Sequence, residues 1–300
     1  MTDVGAVTDR GRVREGNEDR YLLKKAAGVT LLAVADGVGG EAGGDVASAA
    51  AVDALASAFE FGARDTPTAL ASAMRAANDA VLRATAERGH RTAASTLVAA
   101  TIRGRQVAVA NLGDSRAYLV RGGSARQITA DHTGDLPNSI TRFVGDPRGV
   151  APDVFVEIAR PRDRLVLCSD GLTRHVAPEE IGAMATAAPD RAARALVDLA
   201  NERGGQDNVT VVVYASPLVV ARSALALVLF ALVLLVVAGA AAAVLAGTVP
   251  VPAMSPTPAP VSPSPSASAS PSPSASPSPS PSPSPSPTET PTPSPTASAP

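Results

Sequence analysis

Leu31-Leu32-Ala33-Val34-Ala35-Asp36-Gly37-Val38-Gly39-Gly40 is the stretch whose reading decides the fold. Five apolar residues in a row read as a strand buried on both faces. Such a strand ends on a carboxylate only if something satisfies the charge, because an unpaired buried ion is costly. Gly37, Gly39 and Gly40 then let the backbone turn sharply and aim its carbonyls at a ligand. Arg164-Leu165-Val166-Leu167-Cys168-Ser169-Asp170-Gly171 repeats the form: apolar strand, small residue, Asp, Gly. Two buried strands that deliver Asp-Gly at their ends imply one shared cation site.

Around this pair the 300-residue chain changes composition twice. Residues 1–216 have mixed charge and hydrophobic periodicity, enough for one domain with a real core. Residues 217–223 form a juxtamembrane linker, and 224–247 are an apolar span of 24 residues. About 20 suffice to cross a bilayer as a helix, so a single transmembrane helix is expected there. Residues 248–300 are a Pro/Ser-rich tail with Glu289 as its only charge, too polar to bury a core and expected to be disordered. Arg222 is the last basic residue, so the bias of positive charge places the domain in the cytoplasm and the tail outside a cell membrane. The charge of −2 gives no nucleic-acid footprint. Cys168 alone excludes an internal disulfide framework and cysteine-built zinc, leaving oxygen as the metal donor. Met1 to Arg20 is charged throughout, which speaks against a signal peptide.

Short strands are expected at 4–8 and 20–23, flanking a polar loop that carries Arg14, Asn17, Glu18 and Asp19. Alone, that loop reads equally as an exposed charged turn. A helix over 45–60 shows Val52, Leu55 and Phe59 on one face. A second begins with Thr66 as cap and Pro67 at its first position, and Gly89 stops it. Strands follow at 95–102, 106–111, 116–120 and 125–128, with Gly122-Gly123 as a hairpin turn and neighbours pairing antiparallel. Residues 131–152 are irregular, and strands return at 154–158 and 165–168. Two helices start near Pro178 and Pro189, and a buried strand at 209–213 closes the domain. Strands paired locally, with helices arriving in pairs, argue for an α+β layered domain.

Five acidic positions stand at strand ends: Glu18-Asp19, Asp36, Asp114, Asp170 and Asp207. A set of capping and turn aspartates explains each one singly, but not the repeated strand-Asp-Gly form. Carboxylates from separate core strands, with no His or Cys among them, favour Mg²⁺ or Mn²⁺. Two such ions about 3.5–4 Å apart share one carboxylate and hold a water for in-line attack on phosphorus. Arg14 offers the fork that grips a phosphate bidentately.

The ordered set resembles the metal-dependent PPM, or type 2C, Ser/Thr protein phosphatases in their bacterial membrane-anchored form. Its pieces are Arg14-Glu15-Gly16-Asn17-Glu18-Asp19, Ala35-Asp36-Gly37-Val38-Gly39-Gly40, Gly113-Asp114-Ser115-Arg116, Ser169-Asp170-Gly171 and Gln206-Asp207-Asn208. The resemblance implies a four-layer α-β-β-α sandwich of two antiparallel sheets. It implies that Asp36 bridges two Mn²⁺ or Mg²⁺ ions, with the Gly37 carbonyl, Asp170 and Asp207 around the first. Glu18 would sit by the second, Asp19 would support the bound waters, Arg14 would hold the substrate phosphate, and Asp114 matches the ligand of a weaker third ion. It implies phosphorylated proteins as substrates and Ser/Thr kinases as partners. Three departures stand out: Glu41 where bacterial members usually have His, Asp45 where Glu is common, and a 131–152 segment much shorter than the family's flap. A phosphoprotein-binding scaffold without activity and a hydrolase of small phosphoesters are the alternatives.

Overall fold

The computed structural model describes residues 3–39, 43–89, 92–134, 139–217 and 222–245. Strands β1 (Val4–Asp9), β2 (Asp19–Ala26) and β3 (Val29–Val38) come first, followed by helices α1 (Gly43–Ala58) and α2 (Thr66–Glu87). Next are β4 (Ala94–Ser95), β5 (Leu97–Arg103), β6 (Gln106–Leu112), β7 (Arg116–Arg121) and β8 (Ser124–Gln127). Then come β9 (Asp153–Ile158), β10 (Arg164–Cys168), α3 (Asp170–Thr173), α4 (Pro178–Met184), α5 (Pro189–Glu202), β11 (Val209–Ala215) and α6 (Arg222–Leu245).

The strands form two antiparallel sheets, ordered β1-β11-β10-β7-β8 and β2-β3-β5-β6-β9, with β4 paired to the end of β3. Alternation along the opening stretch explains the layering. Leu31, Ala33 and Ala35 pack with Leu55, Leu70 and Met74 under α1 and α2, whereas Leu32 and Val34 join Leu165, Leu167 and Val212 between the sheets. Val166 and Cys168 face the other way, against Ile181 and Leu196 of α4 and α5. Three buried layers result, and the strand read as buried on both faces is so. Asp36 continues the alternation of Leu32 and Val34 and therefore stands at the open end of the inter-sheet layer.

Several local expectations differ from the structure. Asp65 caps α2, accepting from Thr68 N at 3.2 Å, and Thr66 is the first helical residue; either type caps well, and Asp65 sits one step earlier. The expected strand 95–102 breaks at Thr96, whose N–H leaves the ladder to donate to Asp36 O at 2.8 Å. β6 and β7 do not pair: the chain crosses between sheets at Gly113-Asp114-Ser115, so these neighbours lie in different layers. The one-turn helix α3 directly after Asp170 carries too little periodicity to be seen in sequence.

The chain divides into two compact units, Met1–Phe230 and Ala231–Pro300. α6 falls where the transmembrane span 224–247 is expected, and the described side chains from Phe230 to Val237 are exposed. Among the described residues, however, no helix is long and apolar enough to cross a membrane. The tail 248–300 and Glu41 lie outside the described residues.

Candidate active site

One end of the sandwich holds a cleft of about 250 Å³ lined by Arg14, Glu18, Asp36, Gly37, Asp114, Asp170, Arg174 and Asp207. Each side chain arrives from a different element. The β1–β2 loop supplies Arg14 and Glu18, the end of β3 supplies Asp36 and Gly37, and the sheet-to-sheet crossing supplies Asp114. Asp170 follows β10 and Asp207 precedes β11.

Close backbone approach builds the floor. A methyl group at Gly37 would fall 2.1 Å from the Gly44 carbonyl oxygen, so α1 can start directly beneath the β3 end only because Gly37 has no side chain. Gly113 holds φ at +112° where the chain changes sheets, again a glycine conformation. Thr96 Oγ1 accepts from Asp36 N at 3.1 Å and pairs with Ser115 Oγ at 2.7 Å, tying β3 to the crossing. Asn208 staples the β1–β2 loop: its Oδ1 accepts from Glu18 N at 2.8 Å, and its Nδ2 donates to Arg10 O and Gly16 O.

Of the expected residues, all but Asp19 line the cleft. Asp19 pairs with Asp36 across β2 and β3 but is buried behind the wall, where its Oδ2 accepts from Ser169 Oγ at 2.7 Å. Sequence reasoning gave no role to Arg174, whose Nε and Nη2 reach Asp170 Oδ2 at 3.0 and 2.5 Å. The spacing of four from Asp170 was the available signal. Arg14 likewise takes Asp207 Oδ2, at 2.9 Å.

The electrostatics of this end are unfavourable without a cation. Burial, then the neighbouring charges of Asp19, Asp170, Asp207 and Asp114, push the Asp36 carboxyl well above its usual range. Burial followed by Asp170 raises Asp114 to about 6. Burial raises Asp19 to about 7 against the opposing pull of its hydrogen bonds from Ser169 and Thr210. Asp170 Oδ1 is buried without a hydrogen-bond partner among the described residues. All the donors are oxygen, several are buried and one has no partner, which suits hard divalent ions. As they stand, no three acidic, histidine or cysteine side chains among the described residues are grouped tightly enough to hold an ion. Arginines already occupy two of the carboxylates, Arg174 on Asp170 and Arg14 on Asp207.

The Protein phosphatase 2C family model matches residues 10–208. The chain belongs to the protein phosphatase 2C family. A serine/threonine phosphatase of Listeria welshimeri is 35% identical over 231 residues, covering 68% of this chain and 92% of the relative. PstP of Mycobacterium tuberculosis is 36% identical over 228 residues, covering 69% of this chain and 44% of PstP. Among solved structures, a M. tuberculosis PstP/Ppp structure superposes with a TM-score of 0.65 at 35% identity, covering 72% of this chain and 98% of the other. A PstP catalytic domain in complex with two manganese ions gives 0.64 at 36% identity, covering 71% and 96%. The two-sheet α+β architecture expected from sequence is that of these 2C structures.

Within the 2C fold, the described parts of the short 131–152 segment, 131–134 and 139–152, are fastened to their neighbours. Val144 bridges to Ser95, and Asn78 Oδ1 of α2 accepts from both Gly145 N and Asp146 N at 2.8 Å. His132 Nδ1 accepts from Gly113 N at 3.1 Å, next to Asp114, and its Nε2 lies 2.9 Å from Asp153 Oδ2. Ile140 is the segment's contribution to the cleft wall.

Proposed function

We propose that the chain is a metal-dependent protein-serine/threonine phosphatase, tethered to the cell membrane by its apolar segment. The supporting observation is the convergence of Glu18, Asp36, Asp114, Asp170 and Asp207 with Arg14 in one cleft at the end of the sandwich. The named activities of the relatives agree with it. Two Mn²⁺ or Mg²⁺ ions, when bound, supply positive charge and an activated water for in-line attack at phosphorus. Asp36, the Gly37 carbonyl, Asp170, Asp207 and Glu18 are the residues that would hold them, with Asp36 offering the carboxylate they would share. Asp19 orients this shell from behind through Ser169, and Asp114 offers a single carboxylate to a weaker third ion. Arg14 turns from Asp207 to the substrate phosphate, where its planar fork matches two oxygens.

The domain 1–216 then lies in the cytoplasm, joined by the linker 217–223 to a span at 224–247, with the tail 248–300 outside. Its substrates are phosphoproteins near the membrane, and it opposes Ser/Thr kinases there. The test is phosphate release from a phosphoserine or phosphothreonine peptide by the full chain, with Mn²⁺ and after chelation. Release that depends on Mn²⁺ supports the reading. Peptide binding without release would point to a scaffold, and release from small phosphoesters alone would point to a different hydrolase.

A further inference from the structure

One end of the sandwich holds the carboxylate cleft, and the turns at the other end are basic. Strand register identifies which turns share an end: Tyr214 pairs with Val4, Arg164 with Ala215 and Val120, and Arg103 with Val29 and Gln106. The β9–β10 connection joins Ile158 of one sheet to Arg164 of the other, so both sheets turn together there. The acidic cleft lies at the other end of the same strands. Arg164 and Asp170 are six residues apart along β10, roughly 20 Å at about 3.3 Å per residue.

The turns at this second end are basic. Lys24 and Lys25, the chain's two lysines, close β2 and β3, and Arg105 sits between β5 and β6. Arg160 and Arg162 flank Pro161 between β9 and β10. All five are exposed. The acids nearby are largely occupied: Asp3 pairs with Lys25, and Asp163 is buried beneath Arg121 at 2.7 Å. The chain leaves the domain at this same end. Arg162 N donates to Ser216 O at 3.4 Å, and Ser216 N to Asp163 O at 2.9 Å. A cavity of about 690 Å³ opens at that exit, lined by Arg162, Arg164, Ala215 and Pro217.

We infer that this basic end is a docking surface for the anionic phospholipid headgroups of a bilayer, holding the cleft pointed away from the membrane. The inference rests on the membrane tether proposed above. A linker of seven residues, 217–223, reaches at most about 25 Å, so it would hold the domain near the bilayer without by itself choosing which end faces it. Basic side chains near an anionic leaflet are attracted within about a Debye length, some 8–10 Å. The opposite end mixes the cleft carboxylates with the exposed Arg10, Arg12 and Arg14 of the β1–β2 loop and offers no comparable uniformly basic face. The exposed basic turns therefore select the orientation, with the cleft open to cytoplasmic substrates.

The experiment uses the full chain reconstituted in nanodiscs of neutral phosphatidylcholine and of phosphatidylcholine with phosphatidylglycerol. Co-elution with the discs reads the tether. Hydrogen–deuterium exchange in residues 103–106 and 159–164 reads docking. Anionic discs should slow exchange in those turns and neutral discs should not. Salt at about 1 M, where screening leaves a Debye length of roughly 3 Å, should remove the protection. Arg105→Ser, Arg160→Ser and Arg162→Ser together should also remove it, each lowering the docked population about fivefold. Peptide turnover without discs and the melting temperature should stay unchanged in that variant. Equal exchange in both disc types, with co-elution retained, overturns the docking surface and leaves the tether standing. Co-elution with anionic discs alone, lost in the triple variant, keeps the docking surface and removes the tether. Co-elution with neither removes both. Stronger protection by an added soluble acidic peptide than by anionic discs assigns the surface to a protein partner and overturns the lipid assignment.

Discussion

At the scale of single residues, the cleft is a place where stability is given up for chemistry. Asp36 carries its charge in a buried setting crowded by Asp19, Asp170, Asp207 and Asp114, and its carboxyl is pushed up accordingly. A raised carboxyl is neutral in both states at low pH and charged in both at high pH. Stability is therefore lost as pH rises from the unfolded value toward the folded one. For Asp19 in the metal-free chain that window runs from about 4 to about 7, and the raised Asp36 loses stability in the same direction. Melting of chelated protein should fall across it, and Mn²⁺ should restore what is lost at neutral pH. Asp36→Asn should melt higher than wild type in chelator at pH 7, by roughly 2–4 °C for each kcal/mol recovered. The same variant should lose more than about 100-fold in Mn²⁺-dependent turnover, since even partners behind a metal's ligands are worth about 10–100-fold. An unchanged metal-free melting point would refute the crowding argument, and retained turnover the shared-ligand role. Arg174 makes the opposite case. It neutralises Asp170 from four residues away, so Arg174→Ala should tighten Mn²⁺ binding by about threefold to tenfold in titration calorimetry, the scale of one partly buried charge pair. Weaker binding would mean that Arg174 orients Asp170 rather than competing for it.

At the scale of elements, the fastening of the β6–β7 crossing decides where Asp114 stands. Gly113 N donates to His132 Nδ1, and His132 Nε2 lies 2.9 Å from both Asp153 Oδ2 and Arg142 Nη1, while Arg142 Nη1 also donates to Asp153 Oδ1 at 2.9 Å. His132→Ala would leave the Gly113 N–H buried without an acceptor, at a cost of about 1–3 kcal/mol. Melting should drop, and turnover should fall most at low Mn²⁺, where a displaced Asp114 matters. A melting loss with unchanged Mn²⁺ dependence would make His132 a purely structural support. None of this was legible in the sequence, where Asp131-His132-Thr133 sits in an irregular stretch and its partners are 19 and 21 residues away. The β6–β7 crossing was hidden for a related reason: a three-residue link between apolar strands reads as a hairpin, and only the packing shows that it changes sheets. What could be read was local and repeated. Apolar runs ending in Asp-Gly at Asp36 and Asp170 marked both the core strands and the site. The stripe Leu70, Met74, Ala77 and Val81 marked the buried face of α2. Arg174 fell between these cases, its spacing visible but its partner's role unknown until both lined one cleft.

At the scale of the whole molecule, the same strand axis orders charge, chain exit and chemistry. The cleft gathers the carboxylates at one end, and the last strand, β11, runs from just after Asp207 beside the cleft to just before Ser216 at the basic end. A chain that continues from there into an apolar segment would turn its cleft toward the cytoplasm if Arg222 and the domain stay inside. The tail would then be the part exposed outside. It contains no Lys or Arg, so trypsin added to intact cells should leave the chain whole, which makes the protease choice diagnostic. A protease of broad specificity should shorten it by no more than residues 248–300. The 1–216 domain should survive until the cells are opened, and trypsin should then cut at the exposed Lys24, Lys25 and Arg162 turns before the strands. Trypsin fragments from unopened cells would reverse the topology. They would also take away cytoplasmic phosphoproteins as substrates, since the cleft would then face the other side of the membrane.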